Sequence, residues 1–315
     1  MNGKNILITG AGGTVGLILT RFFLGEGFRV YVVDRAEEGA ARLLDMQRIS
    51  GNGKSLYVLF GDVLEESFLE NFLGQTEISY IIHCAALKHF SVGVAFPEKV
   101  MTENVEVFKR VRDIAKKHTG VRKVILCSSD KAAKPLSAMG ASKKAIEDLS
   151  RESDIEGVDF INIRFGNILY SNGSVLEKLE NHIQRGEAFT IRNQEMTRYI
   201  LTESDVVDLV EYALNSGVHG DVICIETPSI KITELVEGYL KKRKATIPVV
   251  LGENSFAESI HEALFNEEEV PCVSKNGQFF VYNKKHKGDL NENDRDYVLS
   301  SEHALSEEAL KKIYE

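Results

Sequence analysis

Asp130 and Lys131 stand side by side where an apolar run ends, in Cys127-Ser128-Ser129-Asp130-Lys131. A carboxyl group next to an amine pairs a possible proton donor with a possible proton acceptor. For that chemistry the amine must be neutral, so burial or a nearby cation must pull the Lys131 pKa down from about 10.4 towards neutrality. The carboxyl must hold a proton, which burial favours. A close ion pair drives both groups the other way and implies shared protons. The plainer alternative is a solvated loop salt bridge of little energetic weight. Lys143 follows twelve residues on, in Met139-Gly140-Ala141-Ser142-Lys143, and its charge is one that could act on Lys131.

A second constellation lies near the start of the chain, in Thr9-Gly10-Ala11-Gly12-Gly13-Thr14-Val15-Gly16. Gly10, Gly13 and Gly16 open a helix directly after a strand. The first glycine allows a tight turn, the second lets backbone approach a pyrophosphate, and the third permits close helix–sheet packing. The helix N-terminus then offers free N–H groups and the positive end of its dipole to the phosphates, with Thr14 and Val15 in the first turn. Asp34 closes the second apolar run where an acid receives the adenosine ribose hydroxyls. A carboxylate there disfavours a 2′-phosphate, which points to NAD, while Arg35 leaves NADP possible. Asp62, followed by Val63, is placed to contact the adenine amino group, and Ala85 and Ala86 are small enough for close approach of the cofactor.

These groups need a scaffold, and the chain supplies one. Apolar runs at Asn5–Thr9, Arg29–Asp34, Ser55–Phe60, Tyr80–Cys84, Lys123–Ser128 and Asp159–Ile163 lack strict alternation, as strands buried on both faces do. Helix-like segments at Val15–Leu24, Glu66–Phe72, Glu98–Lys117 and Ala141–Glu152 separate them. The alternation predicts an α/β fold, a Rossmann-like doubly wound parallel sheet over residues 1–166. A smaller C-terminal lobe, residues 167–315, is expected to face the substrate, with Thr202–Glu226 returning to the first domain. Thr202-Glu203-Ser204-Asp205 reads as a capping box ahead of a helix over Val206–Leu214. A helix over Ile232–Leu240, a hairpin strand at Phe279–Tyr282 and a last helix near Ser306–Tyr314 complete the reading.

Composition narrows the partners. The 315 residues hold 38 Lys plus Arg against 47 Asp plus Glu, a net charge of −9 that repels nucleic acid and acidic membrane surfaces. Cys84, Cys127, Cys224 and Cys272 form no CxxC pair and read as reduced thiols, with no metal site among them. Met1 to Lys4 runs straight into a strand, leaving no room for a signal peptide, and no apolar run reaches the roughly 18 to 20 residues that span a bilayer. The expectation is a cytoplasmic protein without membrane or nucleic-acid partners. His83 ends an apolar run and reads as a core residue, whereas His89 could shuttle protons or simply pack.

The chain resembles the extended short-chain dehydrogenase/reductases of the nucleotide-sugar 4,6-dehydratase group, particularly the soluble inverting UDP-N-acetylglucosamine 4,6-dehydratases of polysaccharide biosynthesis. The resemblance rests on Ala85-Ala86-Leu87-Lys88-His89, on Ser128 to Pro135 leading to Met139-Gly140-Ala141-Ser142-Lys143, and on Arg164-Phe165-Gly166-Asn167. Gly173-Ser174-Val175 and Met196-Thr197-Arg198-Tyr199 extend it. Most short-chain dehydrogenases carry Tyr-x-x-x-Lys at this helix; here Met139 takes the tyrosine position, as in several of these relatives.

The resemblance implies a redox-neutral cycle: hydride leaves sugar C4, Lys131 removes the C5 proton, Asp130 protonates the departing C6 hydroxyl, and hydride returns to C6 with inversion at C5. Ser129 would hold the C4 hydroxyl and Lys143 the nicotinamide ribose. Lys88 and Asn104 would line the cofactor, and Lys88, His89, Asn167, Ser174, Val175 and Arg198 the substrate, with homo-oligomers of two or more subunits. The chain departs from the pattern at Asn172, where relatives often carry Arg. It departs again at Val250-Leu251-Gly252-Glu253-Asn254-Ser255, where an Arg-Pro-Gly-Glu-Lys segment grips the diphosphate. A retaining dehydratase or a 4-epimerase on the same scaffold remains open, as does a dinucleotide sensor without catalysis.

Overall fold

The computed structural model describes residues 4–49, 55–253 and 256–306. In order come β1 (Asn5–Thr9), α1 (Thr14–Gly25), β2 (Arg29–Asp34), α2 (Glu37–Ile49), β3 (Leu56–Phe60), α3 (Glu66–Leu73) and β4 (Ile78–His83). They are followed by α4 (Phe90–Ala95), α5 (Pro97–Lys117), β5 (Lys123–Ser129), α6 (Ala138–Arg151) and β6 (Asp159–Phe165). Strand β4 begins two residues before the expected Tyr80 and stops short of Cys84, because Ile78 already pairs with Asn5 across a local irregularity in the β1–β4 ladder.

The six strands lie in the order β3-β2-β1-β4-β5-β6, every neighbouring pair parallel. This is the doubly wound arrangement, and its switch point falls between β1 and β4. Both faces are covered. On one, Ile18, Leu19 and Phe23 of α1 pack against the sheet; on the other, Val107, Phe108 and Val111 of α5 do so, all buried.

The rest of the chain runs through β7 (Asn167–Ile168), α7 (Val175–Arg185), β8 (Phe189–Ile191), β9 (Thr197–Leu201), α8 (Glu203–Ser216) and β10 (Val222–Ile225). After these come β11 (Ser229–Lys231), α9 (Ile232–Arg243), β12 (Val249–Leu251), β13 (Val273–Asn276), β14 (Phe279–Tyr282) and α10 (Glu292–Leu299). The capping box opens α8: the Thr202 hydroxyl accepts from the Asp205 amide and the Asp205 carboxylate accepts from the Thr202 amide. Buried Val206, Leu209 and Val210 then join the α1 side of the core.

Strand β10 continues the large sheet parallel to β6, and the hairpin β13–β14 extends it antiparallel to nine strands. That hairpin, assigned by sequence to the C-terminal lobe, therefore shares the large sheet. A separate core of Leu176, Leu179, Phe189, Ile200, Leu235 and Val236 holds the smaller lobe together. Beyond Ser306 the expected last helix lies outside the described residues.

Candidate active site

One cavity of about 790 Å³ runs from the switch point across the carboxyl ends of the strands to the smaller lobe. Its floor at one end is the glycine cradle. Gly10 has φ +65°, and a Cβ there would stand 2.6 Å from the Ala85 backbone. A side chain would thus collide with β4's exit, and only glycine lets the loop pass. Helix α1 then starts with no side-chain cap on its first N–H groups and no acid in its first turn. Unsatisfied donors of this kind at a cleft suit the pyrophosphate of a dinucleotide.

Asp34 fixes the edge of the cradle. Its Oδ2 accepts from the Gly12 amide at 2.7 Å and its Oδ1 from the Ala36 amide at 2.8 Å. Arg35 beside it ion-pairs with Asp62 at 3.1 Å and with Glu103. Burial lowers the Arg35 pKa, but the two acids more than offset it and hold the group above its usual value. Asp62 is therefore engaged by a guanidinium and by the Leu64 amide, at 3.0 Å, as it faces the cavity.

Gly13, Thr14, Val15, Gly16, Val63, Ala85 and Ala86 line the same space. Asn104 lines it while shaping the loop after β4: its side chain bonds both the amide and the carbonyl of Leu87 and the Ser142 hydroxyl, at 2.7, 3.1 and 2.9 Å. The smaller lobe meets the cradle at Asn172, whose amide donates to Thr14 Oγ1 at 3.1 Å and whose carbonyl accepts from Lys88 Nζ at 3.2 Å. His89, Asn167, Ser174 and Val175 face the cavity there, and Ser174 also caps α7.

The reactive groups cluster where β5 ends. Ser129, Lys131, Met139 and Lys143 all line the cavity. Lys143 donates to the Cys127 carbonyl at 2.6 Å, and burial pushes its pKa below the ordinary lysine value. Lys131 Nζ stands 2.9 Å from Asp130 Oδ1 and 3.3 Å from Glu262 Oε1. Burial alone would lower its pKa, but Asp130 and Glu262 reverse the sign and raise it. The sequence-based requirement of a depressed Lys131 pKa is thus not what this arrangement produces: the free protein holds an ion pair.

Two expected site residues do not face the cavity. Asp130 is 1% exposed, its Oδ1 accepting from Ser129 Oγ, the Lys131 amide and Lys131 Nζ, its Oδ2 buried with no partner among the described residues. Its short 3₁₀ turn aims the carboxyl beneath Lys131 rather than into the cleft. Arg198, expected to meet a substrate anion, is 3% exposed because every residue of β9 is buried. Its guanidinium serves the carbonyls of Thr197, Ile260 and Ser259 at 2.7 to 3.0 Å and approaches Glu262 at 3.7 Å.

Two residues that sequence reasoning passed over do line the cavity. Glu262 is 3% exposed and held by Ser301, which accepts from the Glu262 amide and donates to its carbonyl. Arg192, following β8, lies over the Phe90 ring at 4.6 Å and pairs with Glu258 at 2.5 Å.

Fold and cradle together define an extended short-chain dehydrogenase/reductase. The chain belongs to the family described as polysaccharide biosynthesis protein, whose model matches residues 6–284. It is 28% identical to MJ1061 of Methanocaldococcus jannaschii, named as an uncharacterized membrane protein, over 98% of this chain and 95% of that one. It is 30% identical to a UDP-glucose 4-epimerase of Rickettsia rickettsii, over 85% of this chain and 79% of the relative. Pen from Bacillus thuringiensis has a similar fold, with a TM-score of 0.87 at 24% identity, over 99% of this chain and 97% of that one. Among the described residues, no helix is long and apolar enough to cross a membrane.

Proposed function

We propose that the chain is an NAD-dependent nucleotide-sugar 4,6-dehydratase acting on UDP-N-acetylglucosamine with inversion at C5. The observation that carries the reading is Lys131, with a carboxylate on each side, in the same cavity as the glycine cradle and Lys143. The name of the Rickettsia relative favours 4-epimerisation instead. That reaction needs no proton transfer at C5 or C6, and an amine flanked by two carboxylates is surplus to it.

When bound, nicotinamide supplies the acceptor for hydride from sugar C4 and its return to C6. The chain does the remainder. Asp34 places a carboxylate where a 2′-phosphate would sit, and Arg35 is already paired, so NAD is preferred to NADP. Lys143 holds the nicotinamide ribose, and Ser129 orients the C4 hydroxyl. Met139 has no proton-accepting atom, so the C4 proton passes to water. The 4-keto group acidifies C5–H, and Lys131 in its neutral form removes that proton. Arg192 meets the diphosphate, the role of the arginine missing near Gly252. On the resemblance, the protein works in the cytoplasm as a dimer or larger assembly.

The test is incubation with UDP-N-acetylglucosamine and NAD in deuterated water, followed by NMR. A dehydratase gives a 6-deoxy-4-keto sugar with deuterium at C5. A hexose epimerised at C4 without deuterium would replace this reading with the epimerase, and no turnover would leave a dinucleotide sensor.

A further inference from the structure

We infer that Glu262, rather than Asp130, donates the proton to the departing C6 hydroxyl; this rests on the dehydratase reading above. Leaving oxygen needs a carboxyl group that reaches the substrate, and of the two carboxyls beside Lys131 only Glu262 lines the cavity. The near oxygen of Asp130 is saturated by three donors at 2.8 to 2.9 Å, and its far oxygen is buried. Glu262 comes from the segment between β12 and β13. Ser301 clamps its backbone at 2.7 and 2.9 Å, and Arg198 stands behind its carboxylate at 3.7 Å. Arg198 is on this account a positioning residue.

The ion pair also carries the right number of protons. One proton moved across the 3.3 Å from Lys131 Nζ to Glu262 Oε1 leaves a neutral amine and a neutral carboxylic acid, the two forms that elimination requires. Lys131 then takes the C5 proton and the C5–H pair becomes the C5=C6 bond. The C6–O bond breaks with its electrons on oxygen, and oxygen takes the Glu262 proton to leave as water. The two side chains finish as the ion pair seen in the structure. Over the whole cycle the C4 hydroxyl and C5 release two protons, and the leaving oxygen and C5 take up two.

The deciding experiment compares Glu262→Gln with Asp130→Asn in deuterated water with UDP-N-acetylglucosamine and NAD, following C5 deuterium and 6-deoxy product separately. Retained NAD binding, read by titration calorimetry, serves as the folding control, and Glu262→Asp as the conservative variant. Glu262→Gln is expected to keep exchanging C5 deuterium into recovered substrate while 6-deoxy product falls at least 100-fold, with Glu262→Asp partly restoring it. Asp130→Asn is expected to keep exchange and elimination coupled. Near-wild-type product from Glu262→Gln, or uncoupling in Asp130→Asn instead, overturns the assignment. A wild-type chain that does neither exchange nor elimination overturns the dehydratase reading and this inference with it.

Discussion

Arg164 of β6 grips Glu147 of α6 with two hydrogen bonds, Nε to Oε1 at 2.9 Å and Nη2 to Oε2 at 2.7 Å, and neither side chain reaches solvent. Its other edge takes Glu269 and the Leu264 carbonyl from the C-terminal segment at 2.7 to 2.8 Å. Three elements thus meet on one guanidinium directly behind the helix that carries Lys143. Arg164→Met strands two carboxylates in the core, and breaking a buried pair in this way costs about 3–5 kcal/mol. Urea denaturation should show that loss. A change below about 1 kcal/mol would mean that the acids take up protons or water at little cost.

On the proposed reading, the Asp34 carboxylate sets cofactor choice. Calorimetry should find NAD bound at least about tenfold more tightly than NADP, a difference near 1.4 kcal/mol. Asp34→Ser should narrow that gap by removing the charge facing the 2′ position. Equal affinities in the wild type would show that Arg35 and Arg42, both in the cavity wall, accommodate the phosphate despite their acidic partners.

Met139 and Lys143 share the cavity but, on the proposed reading, not the chemistry. Met139→Ala should lower kcat by less than about tenfold, whereas Lys143→Ala, which on the proposed reading removes a ribose contact, should lower kcat/KM by 100-fold or more, or about 2.7 kcal/mol. Equal losses would make the thioether more than a wall.

Arg192→Ala should raise KM for the nucleotide sugar about tenfold with kcat nearly unchanged, the pattern of a contact made equally in ground and transition states. A fall in kcat alone would place Arg192 elsewhere in the cycle.

His83 predicts a pH dependence. It is buried, its Nδ1 2.8 Å from Thr9 Oγ1 and its Nε2 without a partner among the described residues. Burial, and after it the Lys143 charge, pushes its pKa down to about 3. The unfolded chain binds a proton from about pH 6.5 downwards and the folded one does not. The stability it permits is whole above about pH 6.5 and is lost progressively as pH falls towards 3, amounting to roughly 2 kcal/mol by pH 5. His83→Asn should flatten that part of the stability profile; an unchanged slope between pH 7 and 5 would show that the wild-type imidazole protonates in place.

What could be read from sequence was local. The glycine cradle, Asp34 and the alternation of strand and helix depend on spacings of a few residues, and they lie in the structure as those spacings require. The Thr202–Asp205 box is of the same kind. The aim of Asp130 was not legible, because two adjacent residues in a tight turn leave on different sides and sequence does not say which side is the cleft. Arg198 reads from sequence as a contact for a substrate anion; here the burial of the whole of β9, a tertiary fact, decides otherwise. Glu262 stands 131 positions from Lys131 and has no spacing signature. Its only hint was a charge set before the apolar Ala263-Leu264-Phe265, where a carboxylate needs a partner.

At Gly140 a methyl group would come within 2.5 Å of the Lys131 carbonyl oxygen. The turn holding one amine and the helix holding the other are therefore in contact, main chain against main chain, with no space for a spacer between them. Even an alanine at this point would wedge the two apart, moving Lys131 away from Lys143 without touching either side chain. Damage there would look like a fault in the chemistry while its origin was a fault in carpentry.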